Sequence, residues 1–121
     1  MSEHVHGKAV LDEVVPLGRN LRSEIPEVYK AYAALASAAT APGRLETKTK
    51  ELIALGISVA LRCDGCIAAH ARGAAKAGAT REEAAEAIGV AILLTGGPGT
   101  VYGPRALDAF AEFAPAAAPA T

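Results

Sequence analysis

From Leu52 to Leu61 the chain reads LIALGISVAL, ten residues without a charge, and no other run constrains the fold as tightly. A helix starting near Glu46 or Thr47 would crowd Lys48, Lys50 and Glu51 into its first turn and then be apolar on nearly every face, so it must be covered all round. A second run that is apolar nearly all round, Ala84 to Leu94, follows the capping-box pattern Thr80-Arg81-Glu82-Glu83. Two nearly all-apolar helices exceed what one core of a 121-residue chain can cover, which predicts burial between subunits. The hydrophobic residues, 51% of the chain, are mostly small or aliphatic, with 4% aromatic residues and no Trp. That composition suits close helix packing.

The remaining segments fill in an all-α bundle of about five to six helices within a single domain, residues 1–121, with a core from about 11 to 113. Residues 1 to about 7 read as a loose polar arm, in which His4 and His6 would bind a metal only with help from elsewhere. Lys8 to Arg22 has helical apolar spacing interrupted by Pro16 and Gly18, which predicts a short or broken helix. Ser23 as cap and Pro26 in a first turn predict a second helix to about Ala39, stopped by Ala41-Pro42-Gly43. A helix from about Asp64 to Ala77 should close at Gly78. Pro98 falls early in a last helix reaching about Phe113, and the Ala/Pro tail from Ala114 should be loose. No segment alternates like a strand.

A net charge of -1 leaves no basic surplus for nucleic acid or an anionic membrane surface. The opening MSEHVHGKAV lacks the charged-then-apolar pattern of a signal peptide, and no run has the length of a membrane span. A cytoplasmic protein is expected. In that reducing compartment the two cysteines, Cys63 and Cys66, point to redox or metal chemistry rather than a static staple.

Reactive groups converge only between Glu51 and His70. If a helix opens just after Cys63, Cys66 and His70 share one face at i and i+4, with Cys63 at the positive helix end. A C-x-x-C pair so placed has lowered thiol pKa values, and its Cα spacing of roughly 5 to 6 Å allows reversible disulfide formation. A thiolate attacking a peroxide would yield a sulfenic acid that the second cysteine condenses to a disulfide. If the chain turns near Arg62, Glu51 lies roughly 16 Å before the turn and His70 roughly 12 Å after it at ~1.5 Å per residue. The two side chains can then meet, and Glu51 can hold the imidazole in one tautomer. A helix running straight through Arg62 would forbid this. The competing readings are a surface Glu51 beside Lys48 and Lys50, a zinc set of Cys63, Cys66, His70 and Glu51, plain core cysteines, and an assembly module without chemistry. Ile67, Leu94, Tyr102 and Phe110 are candidates for lining the approach to the sulfurs, of which Tyr102 also needs a hydroxyl partner if buried.

The spacing Glu51, Cys63, Cys66, His70 resembles the E-x11-C-x-x-C-x3-H signature of the alkylhydroperoxidase D-like branch of the carboxymuconolactone decarboxylase family. Lys48-Thr49-Lys50-Glu51-Leu52-Ile53, Ala77-Gly78-Ala79-Thr80, Gly96-Gly97-Pro98 and Val101-Tyr102-Gly103 look like this family too, so the resemblance spans about Leu11 to Phe113. It implies an all-helical subunit assembled as homo-trimers or homo-hexamers, acting as a thiol-dependent peroxidase or disulfide reductase. By position it implies Cys66 as the cysteine attacking peroxide, Cys63 as the resolving or exchange cysteine, and Glu51 with His70 as a proton relay. It implies no cofactor or metal beyond the redox-active Cys63-Cys66 pair, and an external reductant such as a lipoyl-bearing or thioredoxin-like protein. Full alkylhydroperoxidase D proteins are longer and carry a histidine before the second cysteine, where this chain has Gly65. The decarboxylase branch acts on a muconolactone by proton transfer and lacks the paired cysteines.

Overall fold

The computed structural model describes residues 4–115. Six helices account for nearly all of them: α1 (Lys8–Glu24), α2 (Pro26–Thr40), α3 (Thr47–Leu61), α4 (Asp64–Lys76), α5 (Arg81–Thr95) and α6 (Gly97–Phe113). The protein is therefore an all-α bundle, and no strand occurs among the described residues. Helices α3 and α4 form one hairpin and α5 and α6 another; α3 packs on α5 and α4 on α6. Leu55, Val59, Ile67 and Phe110 are the largest fully buried side chains between them. The remaining core is mostly alanine, which lets the helix axes approach closely. Where α6 crosses α5 even a methyl group is too much: a Cβ at Gly99 would lie 2.9 Å from the Cα of Ile92, and one at Gly103 2.9 Å from Ile88.

Two left-handed residues set the helix ends that matter. Arg62 has φ 55° and ψ 44°, its N–H donates to the Val59 carbonyl at 3.1 Å, and the Cys63 N–H donates to Ser58 at 3.2 Å. This is a Schellman ending built on arginine, a conformation that costs a residue with a Cβ about 1 kcal/mol. Gly78, at φ 90°, ends α4 in the same manner, with Ala79 N–H bonded to Ala74 at 2.9 Å. The capping box of α5 is complete, Glu83 N–H to Thr80 Oγ1 at 3.1 Å and Thr80 N–H to Glu83 Oε1 at 2.9 Å.

Three expectations change. Helix α1 is continuous through Pro16 and Gly18. Only Val10 of α1 is buried, so water can satisfy the carbonyl that Pro16 leaves without a donor. Ser23 does not cap α2: it lies inside α1 with its hydroxyl on the Asn20 carbonyl, and Ile25 takes the cap position without a side-chain bond. The described part of the arm, from His4, is fastened rather than loose, because His4 and His6 find carboxylates on α4 and α6. The tail beyond 115 lies outside the described residues.

Apolar surface is left over. Helix α2 buries no residue, leaving Val28, Tyr32 and Leu35 exposed, and Leu93 and Leu94 on α5 are 79% and 81% exposed.

Candidate active site

The break at Arg62 turns α4 back along α3 and brings the two halves of the E-x11-C-x-x-C-x3-H spacing together. Cys63 is the N-cap of α4, and its sulfur accepts the Cys66 N–H at 3.2 Å. The two cysteines, Cα atoms 5.2 Å apart, are joined as a disulfide, and both are half-buried. One turn further along α4, the His70 Nδ1 donates to Glu51 Oε2 at 2.8 Å, which leaves Nε2 for the side of the ring away from the carboxylate. Glu51 is 12% exposed and His70 33%.

Glu51 is thus not a surface glutamate beside its neighbours. Lys48 pairs with Glu83 at 3.1 Å, and Lys50 donates to the Ala41 carbonyl at 2.6 Å. A carboxylate largely removed from water is costly unless it is partnered, and here the partner is the imidazole. Its space is provided by Gly73, one turn beyond His70 on α4, where an added Cβ would strike the Glu51 carboxylate. A cleft of about 440 Å³, lined by Glu46, Thr47, Lys48, Glu51, Gly73 and Lys76, opens this side of the pair to solvent.

Chemically the assembly combines a sulfur pair that can exchange electrons with a carboxylate and imidazole that can move a proton. In its oxidised form neither sulfur has a free thiolate for zinc. Of the residues considered for the approach to the sulfurs, Ile67 and Phe110 are plain core, fully buried. Leu94 faces outward, in an apolar groove of about 340 Å³ between α3 and α5 whose lining includes neither cysteine. Tyr102 is half-buried: the Arg105 guanidinium lies 4.9 Å over its ring, and His4, which reaches Asp64, meets it edge-on at 6.3 Å.

No motif in the sequence signals the anchoring of the arm. His4 Nε2 is 3.1 Å from Asp64 Oδ1, the residue after Cys63, and His6 Nε2 is 2.7 Å from Asp108 Oδ2. Glu112 accepts the Lys8 N–H at 2.9 Å. His6, Asp108 and Glu112 bring ligand atoms within 4.8 Å of one another and are the described residues best placed to hold a cation, but all three already serve to tie the arm to α6.

An all-helical bundle with a cysteine pair at a helix start and a glutamate-histidine pair beside it defines a class, and comparison with known proteins names it. Residues 26–114 match the model of the carboxymuconolactone decarboxylase family, and the chain belongs to that family, in keeping with its alkylhydroperoxidase D-like branch. It is similar to a carboxymuconolactone decarboxylase family protein of Legionella pneumophila solved in its apo form, with 42% identity and a TM-score of 0.84 over 88% of this chain and 95% of that one. A Thermotoga maritima family member described as a candidate for the antioxidative response is 38% identical, with a TM-score of 0.64 over 69% of this chain and 87% of that one. Protein 4 of the cox locus of Paracoccus denitrificans is 37% identical over 82 residues, 68% of this chain and 74% of that one.

Proposed function

We propose that the protein is a thiol-dependent oxidoreductase that reduces hydroperoxides, or the disulfide of a partner, by cycling Cys63 and Cys66 between dithiol and disulfide. The observation that carries this reading is the Glu51–His70 hydrogen bond one helical turn from a cysteine pair that is already joined. In the peroxide reaction the Cys66 thiolate attacks one peroxide oxygen and the O–O bond breaks. Cys66 becomes a sulfenic acid, and the departing alkoxide takes a proton through His70, held in one tautomer by Glu51. The Cys63 thiol then displaces water from the sulfenic acid, which closes the disulfide. An external dithiol returns two electrons and two protons by thiol–disulfide exchange at Cys63, so that peroxide and dithiol become alcohol, water and disulfide.

The reading places the protein in the cytoplasm, where such a dithiol is regenerated, with a lipoyl-bearing or thioredoxin-like protein as reductant. No helix among the described residues is long and apolar enough to cross a membrane. The Thermotoga relative, a candidate for the antioxidative response, supports the peroxide branch. The uncovered apolar faces of α2, α3 and α5 support assembly as a homo-trimer or homo-hexamer.

Peroxide consumption driven by dihydrolipoamide tests the reading. The parent should turn over, Cys66→Ser should be inactive, and Cys63→Ser should stop after one equivalent. A Cys66→Ser variant as active as the parent would overturn it. The Glu51–His70 pair also stands complete without the sulfurs, which favours a second reading as a proton-transfer enzyme of the kind the family is named for. Undiminished turnover of a muconolactone by the Cys63→Ser/Cys66→Ser double variant would carry that reading instead.

A further inference from the structure

Both residues between the cysteines are met by the N-terminal segment. Asp64 takes the hydrogen bond from His4, and Gly65 faces Val10, whose Cγ1 would lie 3.9 Å from an added Cβ. His4 is held in turn: it stacks on His6 with ring centroids 5.5 Å apart and meets Tyr102 edge-on. His6 is fastened to Asp108, and Lys8 N–H to Glu112. The turn at Gly7, φ 64°, brings the chain so close to Glu112 that a Cβ there would strike its carboxylate. Anchored at three points, the arm sets the His4 imidazole on the one carboxylate that adjoins Cys63 in the chain.

The position has an electrostatic consequence. Cys63 caps α4, where the helix dipole and the Cys66 N–H favour a thiolate. The Asp64 charge next to it opposes that thiolate, as any like charge does. A donor on Asp64 draws the carboxylate's charge away from the sulfur. We propose that His4 is a positioning residue for the cysteine pair, engaging Asp64 so that Cys63 is the more readily ionised and the dithiol the more favoured. This rests on the redox reading of Cys63 and Cys66 and extends it by naming what tunes them.

The equilibrium concerned is protein disulfide plus two glutathione thiols giving protein dithiol plus glutathione disulfide, in which two electrons and two protons pass to the protein. Exposed and half-exposed polar pairs of this kind contribute little each, so His4→Ala should lower the equilibrium constant for reduction about threefold at pH 7. In the Cys66→Ser background the same substitution should slow alkylation of Cys63 by iodoacetamide about threefold. His4→Lys, which restores a donor to Asp64, should recover both. In an Asp64→Asn background His4→Ala should change neither. Far-ultraviolet circular dichroism confirms that each variant keeps its helices. An unchanged equilibrium and alkylation rate in His4→Ala would overturn the proposal, as would an equal change with Asp64→Asn present. Neither result touches the redox reading. A parent pair that cannot be reduced and reoxidised reversibly would overturn both.

Discussion

Glu51 is the residue on which the site turns. It ends the charged first turn of α3 and should by its neighbours be solvated, yet it is withdrawn against Gly73 and held by His70. Removing its charge while keeping its shape tests what it does. Glu51→Gln should slow the reaction of Cys66 with peroxide about 100-fold, the lower end of what a positioned acid–base pair supplies, and flatten the pH–rate profile while the fold stays intact. Stopped-flow measurement of thiol loss checks this, and an unchanged profile would exclude the relay. Gly73→Ala approaches the same pair from the other helix. Its methyl group would displace the Glu51 carboxylate, so the variant should lose activity like Glu51→Gln while chemical denaturation shows little loss of stability, because the end of a flexible side chain can give way and alanine is favoured over glycine in a helix by about 1 kcal/mol. That Glu51 meets His70 and Cys63 meets Cys66 was legible in the sequence from their spacing. The contribution of Gly73 was not, since a glycine inside an alanine-rich helix looks like any other small residue. Nor was His4, because its partner Asp64 is sixty positions away and nothing local marks the pairing.

At the scale of elements, the turn at Arg62 decides whether the site exists. The sequence offers no glycine there, and the helix stops by placing an arginine in the left-handed region. The break could be inferred only from what it would bring together. Helix α1 shows the converse: Pro16 and Gly18 are strong local breakers, but on a helix with one buried residue water can replace the lost hydrogen bond, and the helix continues. Caps were readable where they are self-contained, as in the Thr80–Glu83 box, and not at α2, where the cap Ile25 has no capping side chain. The box carries a pH signature. The Thr80 N–H, and then Lys48, hold the Glu83 carboxyl below its usual range. Its contribution to stability is therefore present above the unfolded-state pKa and lost as pH falls through the lower folded-state value. Glu83→Gln should melt below the parent near neutral pH, and the difference should close in acid, where the parent's carboxylate is protonated as well. Thermal melts across pH 2 to 7 would show it; a gap that persists in acid would contradict the assignment.

For the whole molecule, the six-helix bundle leaves large apolar side chains uncovered that a single core of this size cannot reach. Their excess was readable from two nearly all-apolar runs, but which faces stay outside required knowing that α3 packs on both α4 and α5 while α2 remains at the margin. If Leu93 and Leu94 are buried between subunits, each contributes about 2 kcal/mol to association. The Leu93→Glu/Leu94→Glu variant should then dissociate the homo-trimer or homo-hexamer expected of the parent, as read by light scattering on a sizing column. A monomeric parent would contradict that expectation. The redox account does not depend on it, because Glu51, Cys63, Cys66 and His70 all come from one chain. Its most direct test is intact mass with thiol counting on the reduced protein, before and after a few equivalents of hydrogen peroxide, repeated with Cys63→Ser. The parent should lose both thiols and two hydrogens, and the variant should accumulate a trappable sulfenic acid at Cys66. Two thiols that survive the peroxide with the mass unchanged would contradict the dithiol cycle.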